Sequence, residues 1–310
     1  MAERARRRHR LHHHRHRHRS LRLVAAATAL MLGGAVPVPD PPAWTRPTPA
    51  FRIVGPVWYV GSAGIGAYLI RTPAGAILID GTMAQNVAGV ERNIAAAGVR
   101  LHDVRYLLVS HAHFDHVGAD AALVRATGAQ VVAGARDRAA LESGDPPGET
   151  LYPPVHFAPV RVARAVRDGD TVALGGVTLT AHASPGHTPG CTTWSMRVAD
   201  PQVAGGRMLD VVFPCSVTHG FNRLVGNRRY PGIVADYRAT FAGMAALPAD
   251  VVLPMHPEIA DVMGHRDRAA QGQRDAFVDP ALLRRVVADG EKAFDAQLAA
   301  QVAAAPAAGR

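Results

Sequence analysis

Cysteine is scarce in this chain: Cys191 and Cys215 are the only two among 310 residues. Two cysteines allow one bridge and no disulfide scaffold, so the fold has to be held by an apolar core. Long apolar runs are lacking too. The stretch "LVAAATALMLGGAV" has about 14 residues where a bilayer span needs about 20, so no stable membrane anchor is expected. A basic face is also missing, despite a formal net charge of +9. Residues 1 to 22 hold nine Arg against Glu3, a sum of +8, which leaves about +1 for everything after Arg22. That distribution excludes nucleic acid as the expected partner. With 48% hydrophobic residues, what remains is an ordinary large globular protein.

What the N-terminus does contain is a leader pattern. The basic "MAERARRRHRLHHHRHRHRSLR", the short apolar run and the small residues Gly33, Gly34 and Ala35 read as a secretory signal peptide cleaved after Ala35. The mature protein is then expected outside the cytoplasm, periplasmic or secreted. Residues 36 to 50 read as a Pro-rich linker, and residues 51 to 310 as a single domain. The leader's six histidines suggest metal binding of their own, but a long discarded n-region is the simpler reading, and they are left out of the site.

From about Phe51 strand-like and helix-like segments alternate, so an α/β fold is expected. "AYLIRT" and "AILIDG" read as a strand pair turning at Pro73-Ala74-Gly75. Residues 84 to 97 carry helical spacing, and "VRYLLV" is a short buried strand. A helix from about Ala119 to Thr127, the strand "AQVVAG" and a short helix over 136 to 142 come next. "SGDPPGETLYPPVHFAPV" lacks periodicity and reads as a long loop bordering a pocket. "TVALGG", "VTLTAHAS", "CTTWSMRV" and "RMLDVVFPCS" are strands, and helices near 232 to 246 and 281 to 303 close the chain around the strand "DVVLPM". Strands followed by helices, twice over, suggest two similar halves facing each other. Folding "CTTWSMRV" against "RMLDVVFPC" at about Val203 brings Cys191 opposite Cys215, so a disulfide is expected, with two buried free thiols as the alternative.

The stretch "VSHAHFDHVG" continues from the strand "VRYLLV" and packs His111, His113, Asp115 and His116 into six positions. In an extended segment His111 and His113 project to one side and can share an ion. Asp115 and His116, just beyond, can face a second one. Two more histidines stand in loops at strand ends: His187 in "SPGHTPG" and His256 in "VLPMHPE". Each alone reads as structural. Together they complete two sets of three, His111, His113 and His187 for one zinc, and Asp115, His116 and His256 for the other. Three protein ligands leave a coordination position open for water, which marks a catalytic rather than a structural zinc site. His102, His156, His182, His219 and His265 have no such spacing. Asp80, ending "AILID", is a candidate acceptor for a ligand histidine's second ring nitrogen, with a strand-end cap as the alternative.

"SHAHFDH", "PGHTPG" and His256 together resemble the metallo-β-lactamase superfamily. The resemblance implies a four-layered αβ/βα sandwich with a dinuclear site between two β-sheets. From about Trp58 to Gln301 the chain is similar to class B β-lactamases of subclass 3. His116 directly follows Asp115, and Ser216 stands where thioesterases and nucleases of the superfamily place a bridging aspartate. "RLVGNRRYPGIVADYRATFAGMAALPADVVLPMHP" and "DAFVDP" carry the likeness further. Two departures lie beside the cluster: Ala119 after Gly118 in place of a second glycine, and Cys215 before Ser216. The resemblance implies hydrolysis of the β-lactam amide, and so inactivation of β-lactam antibiotics, by a monomer carrying two Zn2+. In that reading Asp115 is both ligand and catalytic residue, Ser216 and Thr218 take the substrate carboxylate, and Asn222 falls where some members carry an oxyanion-side tyrosine. A lactonase or thioesterase-type hydrolase on the same fold is the alternative, and a secreted zinc-binding protein without turnover is a third reading.

Overall fold

The computed structural model describes residues 40–305, so the expected leader lies outside the described residues. Seven strands run across the first sheet in chain order: β1 (Phe51–Val54), β2 (Val57–Tyr59), β3 (Tyr68–Thr72), β4 (Gly75–Ile79), β5 (Val104–Leu108), β6 (Gln130–Gly134) and β7 (Arg164–Val166). Neighbours are antiparallel up to β4 and parallel from β4 to β7. Parallel neighbours need long crossovers. These are α1 (Val87–Ala96), then the single turn α2 (Phe114–Val117) with α3 (Asp120–Thr127), then α4 (Arg138–Ser143) with the long loop.

The second sheet has the order β12-β11-β10-β9-β8, from β8 (Thr171–Leu174), β9 (Val177–Ala183), β10 (Thr192–Ala199), β11 (Met208–Phe213) and β12 (Val251–Val252). Only the β11/β12 pair is parallel, and its crossover contains α5 (Ile233–Ala246). α6 (Val262–Ala270) and α7 (Leu282–Ala304) complete the chain.

Period-two alternation decides the layering. In β3 to β6 the residues Ile70, Ile77, Ile79, Leu108 and Val132 point between the sheets and meet Leu179, Ala181, Trp194, Met196 and Phe213. Their neighbours Leu69, Leu78, Leu107 and Val131 point the other way, onto Val90, Ile94 and Leu123 of α1 and α3. Such strands are apolar on both faces, as parallel strands covered on both sides must be. Tyr237, Phe241 and Phe294 of α5 and α7 join the core shared with the second sheet. The result is the αβ/βα sandwich, and strand ends from both sheets meet along one edge.

The two halves correspond less closely than expected, seven strands against five. The expected strands and helices are all present within a few residues. Four elements, β1, β2, β7 and α6, have no sequence signal of their own. β7 has three residues, the β1/β2 hairpin is short, and α6 buries only Val262, so no apolar stripe marks it. The described part of the Pro-rich segment makes its own contacts with the domain. Pro42–Trp44 forms a helical turn, Pro47 bridges Ser62, and the Nδ2 groups of Asn86 and Asn93 donate to Trp44 O and Thr48 O at 2.9 Å each. Proline lowers the entropy of a segment, and two asparagines beside it are enough to dock it.

The expected disulfide is present. β10 and β11 pair in the register Trp194↔Phe213, and Cys191 and Cys215 are bridged with a Cα separation of 5.8 Å.

Candidate metal centre

The cluster is shaped by the end of β5. After Leu108 the chain bends at Ser110 and Ala112, where His113 N donates back to His111 O at 3.2 Å, and the extended His113 (φ −113, ψ 148) offers its carbonyl to His116 N and Val117 N at 2.9 and 3.0 Å and starts α2. The switch from extended chain to one helical turn is what separates the two donor sets. His111 and His113 stay on the strand side, while Asp115 and His116 ride on the turn.

His187 and His256 arrive from the second sheet, after β9 and β12. His187 Nε2 stands 3.0 Å from His113 Nδ1, and the His187 and His111 ring centroids are 4.6 Å apart. Around the second set, Asp115 Oδ2 lies 3.2 Å from His116 Nε2 and 3.4 Å from His256 Nε2, and the two Nε2 atoms are 3.3 Å apart. A tetrahedral ion with bonds of about 2.0–2.1 Å requires donors about 3.3–3.4 Å from one another. The second triangle therefore has the dimensions of one face of such a site. His111 Nε2 and His113 Nε2 are buried without a hydrogen-bond partner, a costly state that a bound cation at the first set would relieve for His111.

Second partners fix the ring orientations. His187 Nδ1 donates to Thr218 O at 2.9 Å, which leaves Nε2 for an ion. Ser110 Oγ lies 2.9 Å from His111 Nδ1 and donates to Asp80 Oδ2 at 2.5 Å, while Ser110 N donates to Asp80 Oδ1 at 2.7 Å. Asp80 Oδ2 is also 3.4 Å from His116 Nδ1. Asp80 thus reaches His111 through Ser110 and lies within ion-pair distance of His116, whose Nδ1 has no hydrogen-bond partner. It sits at φ 57, backbone strain that a β-strand end does not require and that the site holds in place.

The electrostatics suit a cation. Burial pushes His113 down to about 4, with Asp115 opposing, and burial likewise pulls His111 and His187 well below the ordinary imidazole range, so the first set offers neutral lone pairs. Burial also opposes a proton on His116, but Asp115 and Asp80 override it and raise His116 to about 10. Two carboxylates around one imidazole mark a place where positive charge is strongly favoured. Asp115 is itself held well below the usual carboxylate range: burial pushes it up, and His116 and His256 more than reverse that.

All six expected ligands are therefore brought together, and none of the five other histidines of the described chain joins them. Ser216 and Thr218 stand beside His187, their hydroxyl oxygens 3.1 Å apart. Asn222 does not fit the substrate-facing position expected of it. It is 2% exposed, and its Nδ2 donates inward to His187 O at 2.9 Å and Tyr237 Oη at 3.3 Å. The neighbouring Phe221 is 61% exposed and lies edge-on to Tyr152 of the long loop. Tyr152 is close enough to feel the centre: burial first, then the Asp115 charge, raise its phenol to about 12. A third donor group, His111 with Cys191 and Cys215, is close-packed, but the disulfide removes the thiolates it would need.

Two residues were missed by sequence reasoning. Asp137 is fully buried and accepts from Ala112 N at 3.0 Å, Thr188 Oγ1 at 2.6 Å and Gly190 N at 2.7 Å, tying the His111–His113 segment to the His187 loop. Nothing local marks it, because all three donors come from elsewhere in the chain. Trp44 lies 5.4 Å from the His256 ring and 6.4 Å from Phe114, forming an aromatic wall beside the second set. A lone tryptophan among prolines was the available signal.

Comparison with known proteins agrees with this geometry. A crystal structure of BJP-1, a subclass B3 metallo-beta-lactamase of Bradyrhizobium japonicum, is 44% identical, with a TM-score of 0.80 over 85% of this chain and 98% of that one. The FEZ-1 metallo-beta-lactamase of Legionella gormanii is 32% identical, with a TM-score of 0.76 over 83% and 97%. Among curated sequences, a probable metallo-hydrolase of Burkholderia pseudomallei is 36% identical over 33% of this chain, and the match spans only 33% of that relative's own length. A hydroxyacylglutathione hydrolase of Acidiphilium cryptum is 26% identical over 80% of this chain and 83% of its own. The pattern of the metallo-beta-lactamase superfamily matches residues 64–256, which is more than half of the sequence. By that match, and with six donors placed as a metal-dependent hydrolase requires, the chain belongs to the metallo-beta-lactamase superfamily.

Proposed function

We propose that this protein is an exported zinc hydrolase that opens the amide bond of β-lactams. The reading is carried by the residues just past β11. At that strand end, beside the six donors, the chain offers the hydroxyls of Ser216 and Thr218 and no carboxylate to bridge two ions. Paired hydroxyls suit a substrate carboxylate, held directly or through water. The neighbouring structures named as metallo-beta-lactamases, one of them of subclass B3, support the same choice.

His111, His113 and His187 would hold one Zn2+, and Asp115, His116 and His256 the other. Bound zinc supplies Lewis acidity toward a carbonyl oxygen and lowers the pKa of a water to about 7. The chain's own part is orientation and exclusion. Asp115 Oδ2 faces His116 and His256, which leaves Oδ1 to accept a hydrogen bond from the attacking water and aim it. Asp80 and Thr218 keep the ligand rings from turning. Trp44 and Phe221 provide apolar walls that limit water around the reacting amide.

The curated hydroxyacylglutathione hydrolases support a second reading, thioester hydrolysis at the same centre. One panel separates the two: β-lactams, lactones and thioesters, each with and without chelator. Chelator-sensitive β-lactam turnover is expected. Thioester turnover without β-lactam turnover would refute the proposal.

A further inference from the structure

The loop from Ser216 to Val225 holds His187 in three ways. Thr218 O accepts from the ring Nδ1 at 2.9 Å, and Asn222 Nδ2 donates to the His187 backbone carbonyl at 2.9 Å. Gly220, at φ +56, lies flat against the ring, where a Cβ would come within 2.5 Å of Cε1. Tyr237 closes the circuit: its hydroxyl donates to the same Thr218 O at 2.9 Å and receives Asn222 Nδ2 at 3.3 Å. Ring, backbone and loop are thus bonded in one cycle around His187.

The cycle is anchored from the far end of the chain. Gln301, in the last turn of α7, accepts from Leu224 N at 2.7 Å and Val225 N at 3.3 Å through Oε1, and donates through Nε2 to Asn222 O at 2.9 Å. Earlier in the same helix, Gly290 leaves room for Val217, which would stand 2.7 Å from a Cβ there. The loop is therefore clamped onto α7 at both its ends.

We propose that Asn222, held by Gln301, is a positioning residue for His187, so that retention of an ion at His111, His113 and His187 is set from the C-terminal helix. The inference rests on the dinuclear reading of the site. Its physical basis is that outer partners of metal ligands govern affinity by keeping the ligand in its binding geometry, and Asn222 bonds the ligand residue itself. Among the described residues, no hydrogen bond joins the second set to this loop, so the effect is confined to one ion.

The test uses the full chain, with zinc alone as the probe in chelator competition and with cobalt substitution read by its visible spectrum. Asn222→Ala is expected to weaken zinc at the first set about 10- to 100-fold and leave the second set unchanged. Gln301→Glu keeps the acceptor for Leu224 N and Val225 N but sets a carboxylate oxygen against Asn222 O where the donor stood, so a loss in the same direction is expected. The melting temperature of each metal-free variant is measured alongside. Zinc retention equal to that of the unaltered chain in both variants would overturn the inference. So would equal weakening of both ions accompanied by a lowered metal-free melting temperature, which is the mark of a merely structural residue. An unaltered chain that binds no zinc would refute the dinuclear reading first and this inference with it.

Discussion

Breaking the Cys191–Cys215 bridge distinguishes two donor sets that compete for His111. Both sulfurs lie near that histidine, and as thiolates they could hold an ion with it. As a disulfide they hold none, and their contribution is to stability. With a sequence separation of 24 between the bridged positions, the chain-entropy model gives about 3.5 kcal/mol. The native geometry leaves that figure uncorrected, because a Cα separation of 5.8 Å is ordinary for a disulfide and the β10/β11 register already sets the two residues side by side. For a domain of this size, about 3.5 kcal/mol corresponds to roughly 7–14 °C in melting temperature. Both cysteines are buried, at 1% and 2% exposure, so reduction requires prior opening, and a Cys191→Ala/Cys215→Ala variant is the cleaner perturbation. Melting of the zinc-free protein, followed by zinc stoichiometry on the folded variant, is the assay. The expected outcome is a lowered melting temperature with two zinc ions retained and hydrolysis kept. An unchanged melting temperature would refute the entropic argument, and loss of one zinc would show that a sulfur takes part in holding an ion with His111.

Asp115→Asn is expected to lower kcat by about 100-fold or more with a much smaller change in KM, since orienting the attacking water matters chiefly in the transition state. Steady-state kinetics check this, and wild-type turnover would mean that the second ion has been given to the wrong residues. In the zinc-free protein His116, raised to about 10 by Asp115 and Asp80 against the pull of burial, keeps its proton at neutral pH. Zinc must displace that proton, so affinity at the second set should rise about tenfold per pH unit between about pH 6 and 8. His113, lowered by burial to about 4, has no proton to lose there, and the first set should show no such slope. Equal slopes in chelator competition would contradict this assignment. Intact-mass measurement on protein from its native host is expected to place the mature N-terminus near Val36, and a mass retaining the Arg/His-rich segment would exclude the leader.

Legibility tracked the range of the interactions. The order of strands and helices, the α/β class and the six donors could be read from the sequence because each depends on short-range pattern. Period-two and helical spacing mark elements that bury a face, and histidine or aspartate beside Gly and Pro at a strand end has no packing reason to be there. The Cys191–Cys215 pairing was legible for a similar reason, since two neighbouring antiparallel strands have one register that buries both apolar sets. Tertiary structure alone decided the rest. Asn222 reads as substrate-facing by its position in the chain, but Phe221 beside it has φ 57, and the turn carries the amide inward to His187 and leaves the phenylalanine outside. Asp137 and Gln301 matter through bonds to residues up to 79 positions away, and no local pattern encodes a partner at that distance. Trp44 reads as part of a linker until Asn86 and Asn93 are seen beneath it. The sequence by itself determined which atoms can bind a metal. Folding decided how firmly each is aimed, because aim depends on hydrogen bonds whose two ends meet only when the sheets have closed on each other.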